Sequence, residues 1–189
     1  MKIAITGGMG CGKSTVINAL HEHFGDEYLY GSYDSEVLRM YRHDEVFKAM
    51  LRAELGTDSK KEVAAIVFND PAKMQWLIKA TEAPLYSFLQ KATSHPNVVI
   101  EVPLLFEMPG LRDMFDIAIA VWCDEETQRI RIKARDKISD DMIDRKLKMH
   151  LSNDEKALQA DYVVDTSVGA VNQLDQILVI MRVAELDRP

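Results

Sequence analysis

Apolar residues follow two patterns along this chain. Short apolar runs bounded by glycine, proline or aspartate are typical of buried strands, whereas apolar residues spaced three and four apart are typical of helices. The runs predict strands at residues 2–6, 28–30, 98–102, 117–122 and 162–164. Because helical segments separate these runs, the pattern predicts an α/β fold in which a parallel sheet is covered by helices on both faces.

The helical segments differ greatly in length. The pattern predicts a helix over residues 13–24, another beginning at residues 124–126 and a last one over residues 169–185. Residues 35–92 read as mostly helical, with a new helix beginning at Asn69-Asp70-Pro71. This stretch is too long for a simple crossover between strands, so we expect it to form an inserted subdomain over the carboxyl edge of the sheet.

A glycine-rich segment, TGGMGCGKST, joins the first strand to the first helix. Gly7, Gly12, Lys13 and Ser14 match the phosphate-binding loop pattern GxxxxGK[ST] in full. Glycines let successive amides point inward at phosphate oxygens, and the helix adds its positive N-terminal end. The segment therefore predicts binding of a nucleoside triphosphate with Mg²⁺, Lys13 reaching the β- and γ-phosphates. The expected nucleotide-binding residues are Gly8, Gly10, Cys11, Gly12, Lys13, Ser14 and Thr15.

Composition narrows the range of partners. The chain of 189 residues has a formal net charge of −7 and 47% hydrophobic residues, so it is too acidic to coat nucleic acid non-specifically. No apolar run is long enough to cross a bilayer, and the start of the chain lacks the form of a signal peptide. We therefore expect a cytoplasmic protein that binds a small molecule and neither nucleic acid nor membrane.

The two cysteines, Cys11 and Cys123, suit neither a zinc site nor a disulfide framework. Both are expected to be reduced thiols. For Cys11 we favour the interpretation that a small residue fits a tight loop, because no second thiol lies nearby in the sequence to resolve an oxidised one.

A basic cluster over residues 129–148 bears on what accepts the phosphoryl group. Arginines can neutralise the negative charge on a transferring phosphoryl group. The cluster therefore indicates the lid of a small-molecule kinase, and favours that class of protein over a GTPase or an ATPase motor. Aspartates are interleaved with these basic residues, and this partly supports the alternative interpretation, in which the cluster is a solvent-exposed helix face. The basic residues are Arg129, Arg131, Lys133, Arg135, Lys137, Arg145, Lys146 and Lys148.

Two acidic residues lie at predicted strand ends. Asp34 follows the second strand, where it can accept the proton of an attacking hydroxyl or cap the following helix; the sequence leaves both roles open. Glu101 ends the third strand, and an acid there commonly supports a magnesium-bound water. We therefore predict Ser14 and Glu101 as the residues that hold Mg²⁺.

Four segments in order resemble the dephospho-CoA kinase family: TGGMGCGKST, VIEVPLLFE, VWCDEETQRIRIKARD and DEKALQADYVVDTS. The resemblance implies a P-loop kinase core of parallel strands flanked by helices, with an inserted helical substrate subdomain and a small lid. It implies a core at about residues 1–33, 96–135 and 158–189, an acceptor-binding insertion at about 34–95 and a lid at about 136–157, all in one domain.

The family reaction is ATP-dependent phosphorylation of the ribose 3′-hydroxyl of dephospho-CoA. By this resemblance Asp34 is the catalytic base and Arg135 a lid arginine, with Lys13 as the third catalytic residue. Acceptor binding is assigned to Asp34, Arg39, Pro103 and Leu104.

The chain also departs from the family pattern on the acceptor and lid side. Ser32 replaces the first acid of the Asp-x-Asp motif, Ala83-Pro84 replaces a His-Pro, His150 replaces a glutamine, and Lys146 falls on an arginine. Two alternatives therefore stay open: a nucleoside or deoxynucleoside monophosphate kinase, and a protein that binds ATP without transferring its phosphate.

Overall fold

The computed structural model describes residues 1–186. Within them the chain has an α/β fold built on a five-stranded sheet, as the sequence predicts. The strands are β1 (Lys2–Thr6), β2 (Leu29–Ser32), β3 (Val98–Glu101), β4 (Ile117–Trp122) and β5 (Tyr162–Asp165). Their order across the sheet is β2-β3-β1-β4-β5, and β1 runs parallel to both β3 and β4, as β4 does to β5.

The helices fill the intervals between the strands. Two further segments, Gly25–Glu27 and Arg112–Met114, are single 3₁₀ turns. The α-helices are α1 (Lys13–Phe24), α2 (Tyr33–His43), α3 (Glu45–Leu55), α4 (Lys60–Val67), α5 (Pro71–Thr93), α6 (Glu125–Asp136), α7 (Asp140–Leu147), α8 (Asn153–Gln159) and α9 (Gln173–Leu186).

The chain divides into two compact units. The first contains residues 1–31 and 95–186 of the described chain. Its core lies between the sheet and helices α1 and α9, where apolar side chains are almost fully buried. Members of this core include Ile3, Ile5, Val16, Leu20, Val99, Ile119, Val164 and Ile177.

The second unit contains residues 32–94; after Ser32, the last residue of β2, it consists of helices and their connecting turns. Helix α2 packs against α3 and α5, and α4 packs against α3 and α5. The predicted helix start at Asn69-Asp70-Pro71 is confirmed: the Asp70 carboxylate accepts hydrogen bonds from the amides of Ala72 and Lys73, and Pro71 opens α5.

The last helix begins later than its apolar spacing predicts. Instead of starting at residue 169, α9 begins at Gln173. The reason is local: Gly169 has φ of 85°, and the Asn172 carboxamide oxygen accepts from the amide of Leu174 at 2.9 Å, which is the geometry of a helix cap. Across residues 1–186, no helix combines the length and apolar character that a membrane span requires.

Candidate active site

The glycine loop between β1 and α1 has a backbone that only glycine adopts readily. Gly7, Gly10 and Gly12 have φ of 140°, 82° and 89°. A Cβ on Gly7 would lie 2.3 Å from the backbone oxygen of Val121, and one on Gly8 would lie 2.0 Å from the Asn153 Oδ1. The loop thus packs tightly against its own protein on one side, which fixes its shape.

Helix α1 begins without the usual protein partners for a helix N-terminus. Its N-cap residue is Gly12, and its first turn has no acidic residue. Among the described residues, no side chain caps this end of the helix. Ser14 and Thr15 are exposed there. An N-terminus with this composition suits an external anion such as phosphate.

Lys13 lies across the mouth of the loop. Its Nζ donates hydrogen bonds to the carbonyl oxygens of Gly7 at 3.1 Å and Gly8 at 3.0 Å. The same atom lies 3.9 Å from the Glu101 Oε1 at the end of β3, and both side chains are largely buried. The structure therefore brings together two predicted site residues, one from the start of α1 and one from the end of β3.

The residues around this loop fit a magnesium–nucleotide complex. Among residues 1–186, no group of three or more His, Cys, Asp or Glu side chains is placed to hold a metal by itself. Mg²⁺ bound to a nucleotide needs only one or two protein oxygens, because phosphates and water supply the rest. The Ser14 hydroxyl and the Glu101 carboxylate provide oxygens of this kind.

Two carboxamides that the sequence analysis did not single out support the outer side of the loop. Gln128 in α6 donates from Nε2 to the Met9 carbonyl oxygen at 2.8 Å and to the Asn153 Oδ1 at 3.3 Å. Asn153, the first residue of α8, donates in turn to the Cys123 carbonyl oxygen at 3.0 Å. Both residues reach the loop only through the fold, since α6 also places the Ile132 side chain 2.9 Å from where a Cβ on Gly10 would lie.

Arg131 and Thr166 brace the opposite side of the loop. The Thr166 hydroxyl donates to the Cys11 carbonyl oxygen at 2.7 Å. The guanidinium of Arg131 donates to that hydroxyl at 3.1 Å and to the Thr166 carbonyl oxygen at 2.6 Å. Arg131 is thus the member of the predicted basic cluster whose contacts link it to the loop.

A cleft of about 480 Å³ begins at Thr166. Helix α1 contributes one wall through Ala19, Glu22 and His23, and the segment from Asp165 to Leu174 contributes the other. A volume of this order is typical of small-molecule sites, and Thr166 joins the cleft to the glycine loop.

Cys11 has a neighbour that its sequence context did not reveal. The Cys123 Sγ lies 3.1 Å from the Cys11 Sγ and donates a hydrogen bond to it, and both residues are buried. That hydrogen bond lowers the pKa of Cys11, while the same contact and burial raise the pKa of Cys123. No second thiol lies near Cys11 in the sequence, but the fold brings Cys123 to it, because β4 ends beside the loop.

The segment after β3 is anchored by a buried lysine. Lys156 in α8 is only 1% exposed, and its ammonium donates to the Pro103 carbonyl oxygen at 2.5 Å and to the Glu107 Oε1 at 2.6 Å. The Leu104 carbonyl oxygen accepts from the Met108 amide at 3.2 Å. Pro103 and Leu104 are predicted site residues, whereas the contact of Lys156 with this segment was not predicted from the sequence.

In the second unit, the structure settles which residue caps α2. The N-cap is Ser32, whose hydroxyl accepts from the Ser35 amide at 3.4 Å. Asp34 lies in the first turn and is exposed, so it does not have the capping role that the sequence left open. Arg39 makes a two-point contact with Glu36, at 2.8 Å from Nε and 2.6 Å from Nη2.

The remaining basic residues mostly face acids of their own region. The Arg135 Nε lies 2.7 Å and the Lys146 Nζ lies 3.8 Å from Asp136. The hydrogen bond from Arg135 lowers the pKa of Asp136, and the charge of Lys146 acts in the same direction. Lys133 likewise pairs with Asp140. These pairs account for the acids interleaved in the cluster.

Comparison with known proteins identifies the family. The family model described as dephospho-CoA kinase matches residues 1–172. The chain belongs to the dephospho-CoA kinase family. It is therefore a P-loop phosphotransferase, and membership implies the use of ATP. This confirms the resemblance and favours the first of the three functional readings over the monophosphate kinase and the non-catalytic protein.

Individual relatives agree along nearly the whole length. A dephospho-CoA kinase from Synechococcus elongatus is 31% identical over 97% of this chain and 94% of its own. Another, from Rhodopseudomonas palustris, is 34% identical over 88% of this chain and 87% of its own. The crystal structure of TT1252 from Thermus thermophilus superposes with a TM-score of 0.80 at 26% identity, covering 98% of this chain and 97% of that one.

Proposed function

We propose that this chain transfers the γ-phosphoryl group of MgATP to the ribose 3′-hydroxyl of dephospho-CoA, giving coenzyme A and ADP. The observation that carries the proposal is the geometry of the glycine loop, where the Lys13 Nζ lies 3.9 Å from the Glu101 Oε1. The match of the family model to residues 1–172 supports it. Membership of the family supports dephospho-CoA as the acceptor, and the glycine loop supports MgATP as the donor.

On the nucleotide side, each group has one task. Amides of the segment from Gly8 to Thr15 surround the phosphates, and Lys13 exchanges its loop carbonyl partners for β- and γ-phosphate oxygens. Ser14 and Glu101 are the residues that would hold Mg²⁺. The magnesium ion, when bound, neutralises charge on the β- and γ-phosphates. The cleft beside Thr166 takes the base of the nucleotide.

On the acceptor side, Asp34 serves as general base. It accepts the proton of the 3′-hydroxyl while that oxygen bonds to the γ-phosphorus, and the bond from the γ-phosphorus to the β,γ-bridging oxygen breaks to release ADP. Its exposed carboxylate is available for this task because Ser32, not Asp34, caps α2. Helices of the second unit bind the rest of dephospho-CoA, with Arg39, Pro103 and Leu104 among the contacts.

The lid is assigned to residues 136–157, with Arg135 at its edge. Arg135 leaves Asp136 and contacts the transferring phosphoryl group, whose negative charge exceeds that of one carboxylate. The protein is proposed to work in the cytoplasm, where its two thiols stay reduced under ordinary conditions.

The Asp34→Asn variant tests the proposal. Its kcat with dephospho-CoA should fall by a factor of about 10² to 10⁴, the range for loss of a general base, while its Kd for ATP stays unchanged. The matched control is Asp44→Asn: the Asp44 carboxylate caps α3 by accepting from the Phe47 amide at 2.9 Å, and asparagine caps equally well. Full activity in Asp34→Asn would remove Asp34 from the mechanism.

A further inference from the structure

The buried thiol pair joins the glycine loop to the main sheet. Cys11 lies in the loop and Cys123 follows β4, 112 positions later, yet their sulfur atoms are 3.1 Å apart. Cys11 is 0% and Cys123 is 1% exposed. A disulfide has sulfur atoms about 2.05 Å apart, so the two sulfurs need to approach by only about 1 Å to form one.

Both cysteines are held by backbone contacts that keep the pair together. The Cys11 carbonyl oxygen accepts from the Thr166 hydroxyl at 2.7 Å, and the Cys123 carbonyl oxygen accepts from the Asn153 carboxamide at 3.0 Å. The two residues therefore face each other from anchored positions instead of meeting by chance along a mobile segment.

We propose that Cys11 and Cys123 are a modification site: a peroxide converts them to a disulfide, a thiol reductant restores them, and the disulfide weakens ATP binding by the glycine loop. The last clause rests on the function proposed above, in which this loop holds the nucleotide.

The chemistry balances with hydrogen peroxide as the oxidant. The Cys11 thiolate attacks one peroxide oxygen, the O–O bond breaks, and hydroxide leaves and takes up the proton that the Cys11 thiol had released, which gives one water and a sulfenic acid on Cys11. The Cys123 sulfur then attacks the Cys11 sulfur, the S–O bond breaks, and a second water leaves with the Cys123 proton. Cys11 is the more nucleophilic partner because Cys123 donates a hydrogen bond to it and Lys13 adds positive charge nearby, both of which lower its pKa.

The disulfide displaces the loop because the loop has little spare room. Cys11 lies between Gly10 and Gly12, both at positive φ, and a Cβ on Gly10 would already be 2.9 Å from the Ile132 side chain. Drawing Cys11 toward β4 by about 1 Å moves the adjacent amides that face the phosphates. Displacements of that size cost up to about 10²-fold in rate or affinity.

The experiment compares the full-length protein after reduction and after treatment with hydrogen peroxide. Tryptic digestion without reductant should give residues 3–13 linked to residues 113–129, with a mass below the sum of the two reduced peptides by two hydrogen atoms. The KM for ATP, measured by ADP release with dephospho-CoA, should rise at least about tenfold, and dithiothreitol should reverse both changes.

Cys123→Ala is the control, with Cys123→Val as a second variant that keeps more of the buried volume. Either variant should keep the activity of the reduced protein and resist peroxide. Absence of the linked peptide overturns the proposal, as does a linked peptide with an unchanged KM for ATP, or equal inhibition of the Cys123 variants. Reduced protein that fails to use ATP instead contradicts the proposed function, while the linked peptide still decides whether the disulfide forms.

Discussion

Replacing Lys156 by methionine tests the buried ion pair that holds the segment after β3. The ammonium is 1% exposed and contacts Glu107 at 2.6 Å and the Pro103 carbonyl oxygen at 2.5 Å. Methionine keeps most of the side-chain volume but leaves the Glu107 carboxylate without its cation in a site where it is only 19% exposed.

The expected cost follows from that burial. Removing one partner of a buried ion pair costs about 3–5 kcal/mol, chiefly because the other charge stays buried. Since Glu107 keeps some contact with solvent, we expect the low end, about 3 kcal/mol. Adding Glu107→Gln should recover part of this loss, because a neutral carboxamide is cheaper to bury than an unpaired carboxylate.

Urea unfolding measures this loss, with free energies obtained by linear extrapolation. The matched control is Lys133→Met, because the Lys133 and Asp140 side chains form an ion pair of 2.9 Å that is 59% and 64% exposed. An exposed pair contributes about 0–1 kcal/mol. If Lys156→Met costs no more than Lys133→Met, or if Glu107→Gln adds to the loss, the buried pair does not stabilise the fold in this way.

Three further predictions address the loop, a helix end and a buried phenol. Gly8→Ala should raise the KM for ATP at least about tenfold, since the added Cβ would lie 2.0 Å from the Asn153 Oδ1 and 2.7 Å from the Gln128 Nε2. Asn153→Ala removes the nearer of these two contacts and should partly restore the KM, and no restoration would refute the clash with Asn153. Lys137→Gly should raise the free energy of unfolding by about 1 kcal/mol, because Lys137, the residue that caps the C-terminus of α6, has a φ of 53°. Lys148→Gly, at an ordinary φ of −65°, should not stabilise the protein. Burial raises the pKa of Tyr33 to about 12 from 10.0. Because the folded protein then holds the phenol proton more tightly than the unfolded chain, the free energy of unfolding should fall as pH rises from 10 to 12. Tyr33→Phe should reduce this dependence on pH, measured by urea unfolding at each pH, and an unchanged dependence would contradict the shift.

The parts that sequence predicted well depend on local pattern. The loop is readable because glycines, lysine and hydroxyl at fixed spacing have one structural solution between a strand and a helix. The strand runs and the Asp70-Pro71 helix start are readable for the same reason, since each is decided within a few residues.

The parts that sequence missed depend on contacts between distant positions. Gln128, Asn153 and Cys123 surround the loop only because β4, α6 and α8 return to it, and nothing in their local sequence announces this. Lys156 reads as one more surface charge until α8 places it against Glu107. The start of α9 was misplaced because the polar cap at Asn172 outweighed the apolar spacing before it.

The most direct test of the proposed function is an acceptor panel. Purified protein with MgATP is given dephospho-CoA, AMP or a deoxynucleoside monophosphate, ADP release is followed, and the product is examined for a phosphate on the ribose 3′-oxygen. We expect turnover with dephospho-CoA, a 3′-phosphorylated product, and loss of turnover in Lys13→Ala. Preferential turnover of a monophosphate, or undiminished activity in Lys13→Ala, would contradict it.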